Sequence, residues 1–295
     1  MPLSLVILAG GLGSRFGGPK QLTPVGPAGQ VIFDYTIADA RAVGVDAVVM
    51  VVNSTIEQGI LDHLSAMSLG SAAPLDSAAA AVPAVPAVRV VCQDRHPLAL
   101  AGSAAGRRKP LGTAHATLVG MEAAPAGPAI VVNADDLYGP EALRLLATHL
   151  RTAPPANGAL VTFAVDHTIT GPGRVTRALC DTAADGRLRG IEEGAVEGSK
   201  WVGSSGRVVS LTGAEPVSMN CWGFPATALA IFDDACRRFV ESDRVATDDE
   251  VLLPTVVRSM ITAGTIFTAL ATTGRCIGVT HPGDLELVRA LLAAP

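Results

Sequence analysis

The chain has 295 residues, of which 49% are hydrophobic and 17% charged, and its formal net charge is −5. This apolar fraction excludes a disordered chain, and the length suits one large α/β domain or two smaller ones. The mildly acidic balance gives no basic surface for nucleic acid or a membrane, whereas a small anionic substrate needs only a few local cations.

The most apolar stretches, Leu3–Ala9 and Val45–Val52, are far shorter than the roughly 20 residues of a membrane-spanning helix. The N-terminus lacks the basic region of a signal peptide. The five cysteines are dispersed without CxxC spacing, which is typical of reduced core residues. We therefore expect a cytoplasmic protein that binds neither nucleic acid nor membrane, and a homo-oligomer is compatible with the sequence.

The first 67 residues alternate between buried strands and helices, which predicts the opening of a doubly wound sheet. The strands expected here are Leu3–Ala9 and Ala47–Asn53, and the helices are Val31–Val43 and Thr55–Met67. An Ala/Pro-rich stretch, Ser71–Val88, then reads as a surface insertion, because proline at this density blocks both helix and ladder.

Beyond this insertion the alternation resumes and then changes to short antiparallel strands. The later expected strands are Val88–Gln93, Ala129–Asn133, Ala159–Val165, Arg174–Cys180, Leu188–Glu192, Arg207–Leu211, Val217–Phe224, Ile266–Ala271 and Ile277–Val279. The later expected helices are Gly112–Ala124, Pro140–Leu150, Ala226–Glu241, Glu250–Ile261 and Asp284–Leu292. We predict a Rossmann-like, three-layer α/β/α fold with a mostly parallel mixed sheet and a small antiparallel extension. It forms a single domain over 1–295, with a nucleotide-binding half (1–150) and a second half (151–295).

The strongest local pattern is a glycine-rich loop directly after the first strand, running from Leu8 to Lys20. Glycine lets backbone N–H groups approach phosphates closely, and two cations, Arg15 and Lys20, lie in the same loop. A dinucleotide fingerprint fails because Phe16 stands where its third glycine is needed. A Walker-type loop fails because Gln21 follows the lysine. The loop therefore suits the triphosphate of a nucleotide.

The segment Leu8–Leu22 resembles the first motif of the sugar-1-phosphate nucleotidyltransferases, the enzymes that make nucleotide sugars. The resemblance implies catalytic roles for Arg15 and Lys20, which would neutralise the departing pyrophosphate. It implies nucleotide binding by Leu8, Ala9, Gly10, Gly11, Gly13 and Ser14. A second segment, Lys109–Ala116, is similar to the family's base-recognition element, so that Lys109, Gly112 and Thr113 are further nucleotide-binding candidates. An ordinary helix N-cap is the alternative for this Gly-Thr pair.

Two adjacent carboxylates, Asp135 and Asp136, follow a buried strand at the sheet edge where open α/β folds bind ligands. Neighbouring carboxylates at such a place favour a hard cation, and an N-cap pair before Pro140 is the alternative. In the family this element holds the catalytic Mg²⁺, which implies that Asp135 is the metal ligand and that Asp136 is an alternative ligand or a substrate contact. Gly278 stands where the family has a second aspartate, which leaves Asp284 as the candidate second ligand.

The later half resembles the family's sugar-binding elements. The resemblance implies substrate contacts by Gly173, Glu192, Asn220 and Trp222, with core packing as the alternative for the tryptophan. Glu193 stands where the family has a lysine for the sugar phosphate, and Lys200 or Arg174 are candidate substitutes. Three further segments are similar to a bacterial branch of the family: Val217–Phe224, Leu252–Val257 and Gly278–Thr280.

The resemblance implies a Mg²⁺-dependent enzyme that transfers a nucleotidyl group from an NTP to a sugar 1-phosphate, giving NDP-sugar and pyrophosphate. Two alternatives stay open. One is a cytidylyl- or guanylyltransferase with a polyol phosphate, phosphonate or molybdopterin acceptor. The other is a catalytically inactive nucleotide-sugar binder, suggested by the departures at Glu193 and Gly278. The base stays open too, because the family's usual glutamine is replaced around Arg107–Lys109 by side chains that only donate.

Overall fold

The computed structural model describes residues 1–11, 19–70, 88–171, 173–279 and 283–293. Within these ranges the strands are β1 Ser4–Leu8, β2 Ala47–Val52, β3 Val88–Cys92, β4 Ala129–Asn133, β5 Asp136–Leu137, β6 Gly158–Ala164, β7 Val175–Thr182, β8 Leu188–Glu197, β9 Lys200–Gly203, β10 Val208–Ser210, β11 Pro216–Phe224, β12 Phe267–Ala271 and β13 Ile277–Gly278. The helices are α1 Ile32–Ala42, α2 Glu57–Gly70, α3 Pro97–Ala104, α4 Thr113–Ala123, α5 Pro140–Thr152, α6 Ala228–Val240, α7 Leu253–Thr262 and α8 Asp284–Ala293.

A mixed sheet runs through the described part of the chain. Strands β3, β2, β1 and β4 lie side by side and are parallel. Strand β11 joins β4 in the antiparallel sense, and β6 and β12 continue the sheet beyond it. The first half of β11 also pairs with β7, which starts an antiparallel meander through β8, β9 and β10. The predicted parallel sheet with a small antiparallel extension is confirmed.

The central strands are apolar on both faces because helices cover both faces. Along β1, Leu5 and Ile7 pack on one side with residues of α1 and α5, and Val6 packs on the other with residues of α4 and α6. Such burial on two sides explains why these strands read as continuous apolar runs. The sheet edge at the carboxyl ends of β1, β2 and β4 is thereby fixed as one rim.

The ends of the predicted helices and strands agree with the structure to within five residues, the largest difference being β8, which continues to Glu197. Three segments were not indicated by the sequence pattern. These are α3, the two-residue strand β5 and the short strand β9. Most of the Ala/Pro-rich stretch and the central part of the glycine-rich loop lie outside the described residues. None of the described helices is long and apolar enough to cross a membrane, and all five cysteines are free thiols.

Candidate active site

The start of the glycine-rich loop is fixed to the carboxyl rim of the sheet. Asn53 at the end of β2 and Gln93 after β3 both donate to the carbonyl oxygen of Gly10, at 3.1 and 3.3 Å. A side chain at position 10 would overlap the Gln93 amide, so glycine is required by this close approach. The remaining loop candidates Gly13, Ser14 and Arg15 lie outside the described residues.

Gln21 closes the loop from its other end. Its buried amide nitrogen donates to the carbonyl oxygens of Ala9 (3.1 Å) and Gly11 (3.0 Å). The sequence motif contains this glutamine, but its role became visible only through these contacts. The hydrogen bonds of Asn53, Gln93 and Gln21 together fix the backbone at both ends of the segment that we expected to hold phosphates.

Lys20 and Asp135 form an ion pair between the loop and the end of β4. The side chain of Lys20 is 22% exposed and that of Asp135 is 20% exposed, so the pair is accessible from the rim. The structure thus brings together the predicted catalytic lysine and the predicted metal ligand, which are 115 positions apart in the printed sequence.

A first cleft of about 280 Å³ opens on the β2 and β3 side of the loop. It is lined by Asn53, Thr55, Gln93, Asp94, Ala99, Ser103, Arg107, Arg108, Lys109, Pro110, Leu111 and His115. We call it the nucleotide cleft. The candidate Lys109 lies on its wall and forms an ion pair with Asp248 at 3.2 Å.

Gly112 and Thr113 join this wall to α4. Gly112 has a φ of 122°, which favours glycine, and a Cβ there would lie 2.6 Å from the carbonyl oxygen of Val251. Thr113 accepts a hydrogen bond from the backbone N–H of Leu253 at 2.9 Å through its hydroxyl oxygen. Both candidates therefore position the wall of the cleft through backbone contacts.

Arg107 holds the same wall from behind. Its guanidinium is buried and donates to the carbonyl oxygens of Lys109, Pro110, Val245 and Thr247 at 2.7–3.3 Å. A guanidinium engaged in this way fixes the loop rather than contacting a base. Of the cations in the Arg107–Lys109 segment, Arg108 and Lys109 are the ones placed to reach a ligand.

The two adjacent aspartates occupy different environments. Asp136 is buried, and its Oδ2 accepts from Asn133 Nδ2 (2.8 Å) and from the Tyr138 hydroxyl (3.2 Å). Burial, followed by the charge of Asp135, raises the pKa of Asp136. Its other oxygen lies against Gly278, the residue paired with it across β5 and β13.

A second cleft of about 270 Å³ opens on the β4 and β11 side of the same rim. It is lined by Asn133, Asp135, Asp136, Thr176, Arg177, Ala178, Glu193, Ser218, Met219, Asn220, Pro254 and Gly278. We call it the acceptor cleft. The Lys20–Asp135 pair lies between the loop and this cleft.

The register of the meander decides which glutamate reaches the acceptor cleft. Glu193 pairs with Ala178, which pairs with Ser218, and all three line the cleft. Successive strand residues point to opposite faces. Glu192 instead accepts from the backbone N–H of Ser205 at 2.9 Å, away from the cleft. The structure therefore does not bring the candidate Glu192 to the other site residues.

Asn220 lies at an irregularity in β11, where the pairing with β6 shifts between Ser218 and Trp222. Its φ of 58° is left-handed, a conformation that asparagine tolerates better than most residues. Trp222 Nε1 donates to Asn220 Oδ1 at 3.3 Å, and the indole is fully buried against Phe224 and Phe267. Trp222 is thus a core residue that orients Asn220, whose amide nitrogen remains a donor for the cleft.

Arg177 is a residue of this site that the sequence reasoning missed. It lines the acceptor cleft and donates to the hydroxyl and carbonyl oxygens of Thr168 and to the carbonyl oxygen of Thr176. Its positive charge opposes the rise in the pKa of the Asp136 carboxyl that burial causes. Nothing in the local sequence distinguishes it from Arg174, which is exposed and pairs with Glu197.

The remaining candidates lie at or beyond the edge of the acceptor cleft. Asp284 begins α8 and accepts from the Thr170 hydroxyl at 2.7 Å. Asp284 does not line the acceptor cleft, although its negative charge favours the charged form of Arg177 and so raises the pKa of that residue. Gly173 is exposed beside Arg174, and Lys200 is exposed in β9.

Comparisons with known proteins establish the family and the fold of the chain. The model of the MobA-like NTP transferase domain matches residues 5–200. The chain is similar to the solved inositol-1-phosphate CTP transferase of T. maritima, with 14% identity, a TM-score of 0.61 and coverage of 100% of this chain and 97% of that one. It is also similar to the UTP-bound UGPase of Acinetobacter baumannii, with 16% identity, a TM-score of 0.60 and coverage of 99% and 93%.

A UDP-glucose pyrophosphorylase solved with UDP-glucose gives 14% identity, a TM-score of 0.61 and coverage of 99% of each chain. A search of curated proteins gives no match. At these identities the solved structures establish the fold, whereas the domain model covers about two thirds of the sequence and includes the loop, the nucleotide cleft and the aspartates. The chain therefore belongs to the family of MobA-like NTP transferases.

Proposed function

We propose that the chain transfers a nucleotidyl group from an NTP to a phosphorylated, polyhydroxylated acceptor, with a sugar 1-phosphate as the first candidate. The observation that carries this proposal is that one sheet rim has two separate clefts, and that Asp135, which lines the acceptor cleft, pairs with Lys20 at the end of the glycine-rich loop. The base and ribose would occupy the nucleotide cleft, and the acceptor would occupy the other. The phosphates would then meet at the ion pair.

The acceptor cleft has the polar groups that a polyhydroxylated phosphate needs. Glu193 can accept hydrogen bonds from hydroxyl groups, and the Asn220 amide nitrogen can donate to them. Arg177 supplies positive charge in the place of the lysine that the family resemblance led us to seek. This distribution favours an acceptor that carries several hydroxyls and one phosphate.

Asp135 and Asp136 fit a magnesium ion. Mg²⁺ is commonly held by one or two carboxylates together with substrate phosphates and water. Asp135 is partly exposed at the rim, and Asp136, although buried, lines the same cleft, so the pair matches that donor set. Among the described residues no group of three or more His, Cys, Asp or Glu side chains could hold a metal by itself. When bound, the ion would neutralise phosphate charge at the α-phosphate.

The transfer itself needs no general base. A phosphate monoester has a second pKa near 6, so its oxygen is already a nucleophile at neutral pH. This oxygen forms a new bond to the α-phosphorus, the bond from that phosphorus to the bridging oxygen breaks, and the electron pair leaves with pyrophosphate. Lys20, released from Asp135 by the incoming triphosphate, would stabilise that charge.

The decisive experiment measures pyrophosphate release for each of four NTPs with a panel of sugar 1-phosphates and polyol phosphates. Lys20→Ala should lower turnover at least about 100-fold, because it removes a contact to charge that develops in the transition state. Arg144→Ala, which removes the same charge from the exposed surface of helix α5, is the matched control and should retain turnover. Equal turnover in both variants would contradict the role of Lys20.

The metal assignment has its own test. Asp135→Ala should abolish the activity that depends on Mg²⁺, and EDTA should do the same to the unaltered protein. A folded Asp135→Ala variant that remains active in EDTA would refute it. Tight binding of an NTP without pyrophosphate release for any acceptor would favour the nucleotide-sugar binder instead.

A further inference from the structure

The carbonyl groups directly after β1 are held by side-chain amides. Gln21 Nε2 donates to the carbonyl oxygens of Ala9 and Gly11, at 3.1 and 3.0 Å. Because both of these oxygens can only accept, the orientation of the amide is fixed, with Nε2 facing the loop. Its Oε1 is buried and has no hydrogen-bond partner among the described residues. An unpaired buried oxygen is destabilising, so stability alone does not explain why this amide faces the loop.

The carbonyl group of Gly10 is held from the side of β2 and β3. Asn53 Nδ2 and Gln93 Nε2 both donate to its oxygen, at 3.1 and 3.3 Å. The orientation of the Asn53 amide is fixed as well, because its Oδ1 accepts from the backbone N–H groups of Thr55 and Ile56, at 2.9 and 3.2 Å. All three amide side chains are buried. Three consecutive carbonyl groups are thus held by donors that have little freedom to move.

Holding a carbonyl group also fixes the N–H group of the same peptide unit. The described residues contain no cis peptide bond, so each N–H points opposite to the carbonyl of the preceding residue. The N–H of Gly10 therefore points away from Gln21. The N–H of Gly11 points away from the two amides on the side of β2 and β3.

These two N–H groups face the place where we expect phosphates. Neither of them donates to another described residue. Strand β1 lies between β2 and β4, so the N–H of Gly11, which points away from β2, faces the β4 side of the rim. Lys20 pairs with Asp135 on that side, at the end of β4. Successive backbone N–H groups of this kind form an anion-binding concavity, and here a lysine accompanies them.

We propose that the three amides, those of Gln21, Asn53 and Gln93, are positioning residues. They hold the N–H groups of Gly10 and Gly11 towards the phosphate chain of an NTP. Donors whose direction is set by buried partners need no rearrangement when the charge of the phosphates develops, and this is the condition under which they stabilise it best. The inference rests on the proposed function, because it takes the anion in the loop to be the triphosphate of an NTP.

The first test follows the two N–H groups themselves. In protein labelled with ¹⁵N-glycine, the amide resonances of Gly10 and Gly11 should shift when inorganic triphosphate, which carries neither base nor ribose, is added. Gln21→Met has a side chain of similar size without the amide, so the shift of the Gly10 resonance should shrink in this variant. Resonances of both glycines that do not move in the unaltered protein would overturn the proposal.

The second test measures the affinity for inorganic triphosphate, and for whichever of the four NTPs binds most tightly, by calorimetry. Gln21→Met should weaken both about 10- to 100-fold, the range expected when a hydrogen bond to a charged group is lost. Gln58→Met is the matched control, because Gln58 is exposed on α2 and donates to Asp62. It should bind both ligands as the unaltered protein does. Equal affinities in the two variants would overturn the positioning role.

Gln93→Met keeps the proposal testable if Gln21→Met does not fold. It removes one of the two donors to the carbonyl oxygen of Gly10, so binding of triphosphate should weaken several-fold. The NTP should lose the same factor, because the amide acts through the phosphate contact. A loss confined to the NTP would assign Gln93 to the base or the ribose and overturn its positioning role. If triphosphate binds as expected but no pair of NTP and acceptor releases pyrophosphate, the proposed function fails while this anion site stands.

Discussion

Replacing Gly112 by alanine tests how the wall of the nucleotide cleft is built. The φ and ψ of Gly112 are 122° and 179°, a region that is essentially restricted to glycine. A Cβ would lie 2.6 Å from the carbonyl oxygen of Val251 and 3.0 Å from its carbonyl carbon. Val251 cannot retreat freely, because it donates to Leu111 (2.8 Å) and accepts from Ala114 (3.0 Å).

The expected loss of stability has two contributions, the backbone conformation of residue 112 and the displacement of Val251. The unfavourable backbone conformation costs of order 1–3 kcal/mol. Displacing Val251 weakens two backbone hydrogen bonds, each worth about 0.5–1.5 kcal/mol. We therefore expect Gly112→Ala to lower the free energy of unfolding by about 2–6 kcal/mol and to raise the KM for the NTP, since the same backbone forms the cleft wall.

A matched variant separates the two terms. Gly139 has a similar conformation, with φ 77° and ψ 160°, but nothing lies within 4 Å of the Cβ that alanine would add. Urea unfolding should show that Gly139→Ala loses the backbone term alone. Equal destabilisation of the two variants, or an unchanged KM for the NTP in Gly112→Ala, would refute the role given to Val251.

Three other predictions concern the acceptor cleft and the core. Arg177→Met should raise the KM of the acceptor about 10- to 100-fold and change the KM of the NTP little, as expected for a lost charge-assisted contact. Steady-state kinetics with each substrate varied in turn would test this, and an equal rise of both KM values would contradict it. Gly278→Ala should impair Mg²⁺-dependent turnover, because the added Cβ would overlap Asp136 Oδ1. Gly283→Ala should not, because a Cβ at position 283 would lie in open space. Similar turnover of the two variants would argue against a role for the space beside Gly278. Burial raises the pKa of Asp39 from 3.8 to about 6, so between these values the folded state binds a proton that the unfolded state has lost, and the free energy of unfolding falls as the pH rises. Asp39→Asn should remove this pH dependence and add about 1–2 kcal/mol to the free energy of unfolding at pH 7. Denaturation at pH 4 and pH 7 would check this.

The parallel half of the fold was predictable because its strands are buried on both faces and end at glycine or polar residues. Strands β5 and β9 were not predictable, because they depend on tertiary contacts. Strand β5 has two residues and exists through its pairing with β13, and β9 exists as the return of the β8 hairpin. Local sequence carries no record of either pairing.

The candidate site divides in the same way. Lys20 and Asp135 belong to contiguous motifs, so the sequence could indicate both. Whether Glu192 or Glu193 faces the cleft depends on the register of β8 against β7, which a shift of one residue would reverse. Arg177 depends on partners in other elements, and its residue type alone does not reveal its place in the site.

The register of β5 against β13 also changes the meaning of Gly278. Read along the sequence, a glycine at this position is the loss of a carboxylate and suggests a weakened metal site. In the structure Gly278 pairs with Asp136, and the absence of a Cβ is what leaves room for Asp136 Oδ1. A carboxylate thus occupies the space beside position 278, supplied by the neighbouring strand. Asp136 is held there by Asn133 and Tyr138, so the departure at Gly278 does not by itself argue for an inactive binder.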